Sequence, residues 1–329
     1  MIGRRRCLPL LPLLAIALIV PASAPAETGP GASASANPPP RTAATVRVRV
    51  EGLRGQKARI LSHVSVVGSV APFVPGQEVE LTFFRNGHAF RTRVVPLSRG
   101  GGDFGAFRTR FFVRRTARYA VQARHVATPQ LGGGASVRKS WGVRFPSLSS
   151  GECGRVVRGF KDHLDRLGYV PGDGRCLSER TARAVLAYRK VNGFERNHHA
   201  GKRIVARVFR NRGTYRVKHP GAGKHVEVSV SRQVLVLLRG RKAVEIYPVS
   251  TGKPSTPTVK GHFQFIRREP GYNNVGMYYS FYFYGGYAVH GYPSVPATYP
   301  ASHGCVRLPI PDARHVYNWI DYGDDIFVG

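Results

Sequence analysis

Acidic side chains are scarce in this sequence: 18 Asp and Glu stand against 50 Lys and Arg, a formal charge of +32. A chain so basic calls for an anionic partner. No recognised nucleic-acid motif accompanies the charge, so nucleic acid is not expected as that partner. Long apolar runs are almost missing. The one at Leu8–Val20 follows Arg4-Arg5-Arg6 and leads to small residues ending Ala24-Pro25-Ala26, the three-part layout of a secretory signal peptide over residues 1–26. It is too short to span a bilayer comfortably, so cleavage after about Ala26 is expected, with membrane attachment only if the leader is retained. No later stretch is long and apolar enough to cross a membrane, which puts the mature chain outside the cytoplasm, secreted or wall-associated.

Cysteine is sparse too, with four in 329 residues. Cys7 would leave with the leader and sits too early for lipid attachment. Cys153, Cys176 and Cys305 remain, an odd number that implies one free thiol beside one disulfide in an exported protein. Cys153 and Cys176 lie in one short segment, and closing that loop would stabilise it by roughly 3 kcal/mol in the chain-entropy model. Cys305 is left over. His198-His199 has no third ligand at plausible spacing, so no metal is expected, and no cofactor either.

The length exceeds one ordinary domain and predicts several small ones. Residues 27–44 are Gly, Ala, Ser and Pro-rich, including Pro38-Pro39-Pro40, and read as a flexible linker. Over 45–146, alternation at Val46, Val48, Val50, then Val64, Val66, and Val79, Leu81, Phe83, punctuated by Pro75-Gly76 and Gly100-Gly101-Gly102, predicts a small Ig-like β-sandwich. From Cys153 the period becomes helical. Val156, Val157, Phe160, Leu164 and Leu167 end at Gly168, and a second helix runs from an N-cap at Ser178 to Asn192-Gly193. Alternation returns at Val226, Val228, Val230 and at Val234, Val236, Leu238, so the C-terminal part from about 224 is mostly β, with one short helix near Asp312–Ile320.

Ser302-His303-Gly304-Cys305-Val306-Arg307 carries the strongest chemical signal. Acyl transfer by cysteine needs the thiolate, and an unassisted thiol with a pKa near 8.5 supplies only a few per cent of it at neutral pH. His303, Arg307 and the upstream His290 are the groups that could assist. Gly304 removes a side chain beside the sulfur, letting an acyl group approach backbone N–H donors. A small buried Cys beside surface histidines is the bland alternative; the odd thiol, its glycine neighbour and the second His-Gly pair at His290-Gly291 argue against it.

Two resemblances follow from these motifs. Tyr287-Ala288-Val289-His290-Gly291 with Ser302-His303-Gly304-Cys305-Val306-Arg307-Leu308 resembles the signature of the L,D-transpeptidase catalytic domain. Val249-Ser250-Thr251-Gly252-Lys253, Thr256-Pro257-Thr258 and Gly261-His262-Phe263 resemble that family's first block, so the likeness covers about 224–329. Eleven residues separate His290 from Ser302, fewer than is usual, which implies a shortened loop over the site. Residues 151–212 resemble a three-helix peptidoglycan-binding domain through Leu167-Gly168-Tyr169, Thr181, Ala184-Val185 and Tyr188, but with Arg189 where such domains carry Gln and with a short third helix near Ile204–Phe209.

The first resemblance implies a mostly β catalytic domain with Cys305 as nucleophile, His290 as general base oriented through the Gly291 carbonyl, and His303 shaping the site. Gly304 and Cys305 would lend N–H groups to an oxyanion hole, and Ser302 and Arg307 would contact substrate, Arg307 through a stem-peptide carboxylate. The implied reaction is peptidoglycan cross-linking through a Cys305 thioester, with stem peptides and anionic wall polymers as partners. An L,D-carboxypeptidase would share every motif, and a non-catalytic wall-binding protein would leave the Cys-His pair unexplained. A papain-type peptidase has its Cys and His in the opposite order. Tyr278, Tyr279, Tyr282 and Tyr284 read as strand packing or as an aromatic lid; His262 and His315 read as structural or surface residues.

Overall fold

A computed structural model describes residues 41–329. The leader at 1–26, Cys7 and most of the 27–44 linker lie outside the described residues. The last linker residues do not behave as a free spacer. The Ala44 N–H donates to Gly132 O at 3.2 Å and the Gly132 N–H to Thr42 O at 2.8 Å, and Ala44 is buried, so this stretch is bound to the following sheet.

The first region holds β1 (Thr45–Glu51), β2 (Lys57–Arg59), β3 (His63–Ala71), β4 (Glu78–Arg85), β5 (His88–Pro96), β6 (Ser98–Arg99), β7 (Gly105–Phe112), β8 (Tyr119–His125), β9 (Gly134–Ala135) and β10 (Lys139–Arg144). They form two sheets, β1-β3-β7-β6 and β2-β10-β8-β4-β5, with β9 beside β8. Period-two side chains from both close one core, in which Val46, Val66, Val79, Leu81, Phe83 and Trp141 are buried.

Three helices follow: α1 (Arg155–Arg166), α2 (Glu179–Val191) and α3 (Lys202–Val208). Gly168, at φ 89°, ends α1 in the left-handed region and lets the Tyr169 N–H reach Leu164 O at 3.0 Å. The Ser178 hydroxyl caps α2 by accepting from Thr181 N. Cys153 and Cys176 are joined, their sulfurs 1.99 Å apart, and Cys305 is free.

The C-terminal region contains β11 (Lys224–Ser229), β12 (Val234–Arg239), β13 (Lys242–Pro248), β14 (Gly261–Gln264), β15 (Arg267–Tyr272), β16 (Tyr278–Tyr284), β17 (Tyr287–Tyr292), β18 (Val306–Pro309), α4 (Ile310–Trp319) and β19 (Asp325–Val328). One sheet runs β13-β12-β11-β19-β14 and the other β15-β16-β17-β18. Their core includes Val226, Leu235, Leu237, Phe265, Phe281, Val289 and Val306, with Ala313 and Val316 of α4.

β12 explains how the helical region attaches. Leu235 and Leu237 point into the C-terminal core, whereas Val234, Val236 and Leu238 on the opposite face join Leu164, Tyr188 and Val205. A strand covered on both faces reads as a continuous apolar run, which VLVLL is. Ile60, Phe145 and Leu148 from the first β region enter the same helical core. The described residues therefore share packed interfaces, and Arg41–Gly329 forms one compact unit. No helix among the described residues is long and apolar enough to cross a membrane.

Candidate active site

The site is assembled where β17 and β18 lie parallel. Their register places His290 opposite Arg307 and Val289 opposite Val306, so Cys305, one residue before β18, comes level with Ala288. His290 is 2% exposed. Its Nδ1 lies 2.9 Å from Gly291 O, and because a carbonyl can only accept, the proton sits on Nδ1 and Nε2 keeps the basic lone pair. Burial, opposed by that hydrogen bond and reinforced by the Arg307 charge, lowers the imidazole pKa to about 4.

Burial also pushes the Cys305 thiol pKa up, with backbone hydrogen bonding from Ala288 and the Arg307 charge pulling the other way. The thiol donates to Gly286 O at 3.6 Å rather than to His290. Both groups are therefore neutral at rest. A low-polarity setting disfavours a standing thiolate–imidazolium pair.

The turn before Cys305 is held by the serine. Ser302 is buried; its hydroxyl donates to Cys305 O at 2.5 Å and accepts the Gly304 N–H at 3.1 Å. Ser302 is thus occupied within the turn, which does not fit the expected substrate contact. The Gly304 N–H is likewise engaged and is not free to meet an oxyanion in this arrangement. Gly304 adopts φ 122°, and a Cβ there would lie 2.5 Å from the Tyr287 ring, so only glycine fits. Gly291 is bare for a packing reason as well: a Cβ would sit 2.7 Å from Ala313 Cβ of α4.

The segment 250–258 straps this turn in place. Ser302 N–H donates to Thr251 O, Lys253 N–H to Ser302 O, and Ser250 exchanges both backbone bonds with Arg307, all at 2.9–3.0 Å. Lys253 Nζ lies 3.1 Å from Nε2 of the exposed His303. Lys253 is a site residue to which the sequence reading gave no role, although its Gly252-Lys253 motif was visible. Arg307 stacks its guanidinium 3.9 Å from the Tyr292 ring centroid and donates to Ala301 O at 3.2 Å; its Nε is buried with no partner.

The helical region reaches the same surroundings. Lys190 Nζ donates to Val249 O at 2.9 Å, immediately before the strap. Arg196 donates to Thr298 O at 2.9 Å, within the loop that joins His290 to Ser302, and to Ser231 O at 2.7 Å. Arg189 donates to Glu195 O and His199 O and so ties the end of α2 to the following loop.

Residues 223–328 match the family model YkuD, described as the L,D-transpeptidase catalytic domain. The C-terminal region is that domain. A crystal structure of an L,D-transpeptidase (residues 123–326) from Xylanimonas cellulosilytica DSM 15894 is 26% identical with a TM-score of 0.51, covering 56% of this chain and 98% of that one. An L,D-transpeptidase (Yku) from Stackebrandtia nassauensis is 23% identical at a TM-score of 0.35, covering 55% and 94%. No curated protein matches the chain. The transpeptidase domain thus brings together Cys305, His290, Gly291, Ser302, His303, Gly304 and Arg307 at one turn and one strand pair.

The remaining sequence candidates lie in other settings. Tyr282 is buried under Arg267, whose guanidinium is 3.6 Å from its ring centroid, and Tyr278 and Tyr279 pack edge to face. Tyr284 is exposed. His262 bonds Asp325 at 2.8 Å and His315 bonds Glu245 at 2.9 Å. Among the described residues, no group of three or more His, Cys, Asp or Glu is placed to hold a metal ion.

Proposed function

We propose that this protein is a peptidoglycan L,D-transpeptidase acting through a Cys305 thioester. The observation that carries the reading is the His290 tautomer: with Nδ1–H held by Gly291 O, a neutral Nε2 is available beside the strand start that presents Cys305. As a stem-peptide carbonyl approaches, Nε2 takes the Sγ–H proton while sulfur forms the C–S bond. Proton removal accompanies attack, since both groups start neutral. Collapse of the tetrahedral species breaks the C–N bond, and the departing amine carries away the proton held by Nε2. An acceptor amine then attacks the thioester, giving its proton to Nε2; thiol release returns that proton to sulfur. Water in place of the amine would give L,D-carboxypeptidase activity.

Arg307 lies in register with His290, which supports its meeting a substrate carboxylate near the site. Ser302 acts instead by positioning the turn. The disulfide at 153–176 and the leader motif support an extracytoplasmic, wall-associated location. For the helical region, a cavity of about 630 Å³ lined by Arg158, Asp162, Asp165 and Arg180 supports a peptidoglycan-binding role.

Intact-mass measurement after incubation with a wall tetrapeptide and an acceptor stem tests the reading. A Cys305-dependent covalent adduct followed by cross-linked product is the expected result. Wall binding with no adduct and no turnover would overturn it in favour of a binding protein.

A further inference from the structure

Two cavities meet where the first β region joins the helices. One, of about 420 Å³, is lined by Arg85, Arg91, Arg114 and Arg115 over Phe90, Phe112 and Tyr119. The other, of about 620 Å³, is lined by Arg114, Arg115, Arg166, Arg210 and Arg212 with Thr116, His163 and Asn211. They adjoin at Arg114 and Arg115, which line both. Seven arginines line this double groove and no carboxylate does.

Among the described residues, none of the seven is in a salt bridge, although other arginines of the same regions are. Arg49 and Arg108 pair with Glu51, Arg59 with Glu152, and Arg189 with Glu195. Concentrating unpaired like charges along one groove is unfavourable for the folded chain alone and favourable once an anion enters. Thr116 Oγ1 is a further polar atom on this wall, buried and without a partner. We propose that this groove binds a linear polyol-phosphate chain, its guanidinium groups meeting successive phosphodiesters.

The repeat of the charge selects the ligand. Seven permanently charged guanidiniums match a polymer that brings one anion per unit, and Arg, unlike Lys, can form two parallel bonds to each phosphate. The aromatic residues argue against single-stranded nucleic acid, which binds through open faces on which bases stack. Arg85 covers Phe90 with its guanidinium 5.1 Å from the ring centroid, and Arg114 and Arg155 flank Phe112 at 5.7 and 5.9 Å. Phe111 and Tyr119 are buried. The groove reads backbone charge, and the rings of Phe90 and Phe112 are already engaged by arginines.

The test titrates the full chain with poly(glycerol phosphate) of defined length across a salt series. The groove variant replaces four charges, Arg114→Gln, Arg115→Gln, Arg210→Gln and Arg212→Gln. A matched variant removes the same charge from a separate cavity: Arg47→Gln, Arg49→Gln, Arg108→Gln and Lys139→Gln. The groove variant should lose about thirtyfold or more in affinity, with the slope of log K against log salt reduced by about 3, and the matched variant should lose no more than about threefold. Single-stranded DNA of equal charge should bind more weakly than the polyol phosphate. Equal losses in the two variants would make binding a matter of net charge and overturn the proposal, as would DNA binding as tightly. If the fourfold variant does not fold, Arg115→Gln alone carries the test, with a loss of about threefold or more expected and unchanged affinity overturning it.

Discussion

Arg183 of α2 closes on Asp312 in the first turn of α4 through two bonds, Nε at 2.8 Å and Nη2 at 3.1 Å from the two carboxylate oxygens. Both side chains are largely buried, at 16% and 4% exposure. The pair joins the helical region to the helix whose Ala313 packs against Gly291, the residue that fixes the His290 tautomer. Removing one partner of a buried pair strands the other charge. Asp312→Ala should therefore cost about 3 kcal/mol in urea unfolding, while Arg183→Met with Asp312→Leu should lie much closer to the parent. Equal costs for the single and the double change would refute this view of the pair.

The pH dependence of acylation follows from the two neutral groups. His290, depressed to about 4, remains a free base above that pH, and the thiol is raised. Acylation of Cys305 should show its acid limb near pH 4 and then stay level until the raised thiol itself ionises. A limb at pH 6–7, where an ordinary histidine titrates, would contradict the burial argument. For stability the sign is equally definite. Between the unfolded value near 6.5 and about 4 the unfolded chain binds the extra proton, so His290 contributes stability in full above 6.5 and loses it as pH falls through that window. His290→Gln should flatten the denaturation midpoint between pH 4 and 6.5.

Lys190 is buried with Val249 O as its hydrogen-bond acceptor, and burial lowers its pKa to about 7. Between pH 7 and the unfolded value near 10.5 the unfolded chain holds a proton that the folded chain has released. Stability attributable to this lysine thus rises with pH across that window, and its penalty is full below 7. Lys190→Met should remove that slope, seen as a flatter stability curve from pH 7 to 10. An unchanged slope would show that Lys190 does not titrate in the fold.

The turn at Gly304 couples backbone strain to catalysis. Gly304→Ala places a Cβ against the Tyr287 ring at a φ that L-residues avoid, a cost of about 1–3 kcal/mol. Acylation should slow by about ten- to a hundredfold, read by mass spectrometry against time. Pairing it with Tyr287→Ala should recover only part of the loss, because the steric term is relieved and the φ term is not.

Ser302→Ala separates holding from binding. If the hydroxyl organises the turn through Cys305 O and Gly304 N, the rate of thioester formation falls while the concentration of tetrapeptide giving half-maximal rate stays unchanged. A rise in that concentration at constant maximal rate would restore the substrate contact first expected of Ser302.

The catalytic domain was legible because its chemistry is local in sequence. His290-Gly291 and Ser302–Arg307 are short motifs, and adjacent parallel strands bring them together. The roles inside the turn were not legible. A serine next to His303 looks available until its hydroxyl is seen to close on Cys305 O, three residues away. The linkage of regions was hidden for a different reason. The apolar run of β12 announces burial, but whether its second face meets helices or solvent depends on partners elsewhere in the chain. Lys190 and Arg183 of α2 are likewise covered by residues distant in sequence, Val249 and Asp312.

The placement of β19 also bears on the order of synthesis. It lies between β11 and β14, parallel to the first, so residues 325–328 fill an inner position of the five-stranded sheet although they follow all its other strands in the chain. On the ribosome, the first β region and the helices emerge early enough to fold while the catalytic sheet still lacks an inner strand. The apolar outer face of β12 packs on helices that precede it in the chain, and the sheet closes only once residues 325–328 are in place. The upstream regions would in this way serve the nascent catalytic domain as a built-in folding template.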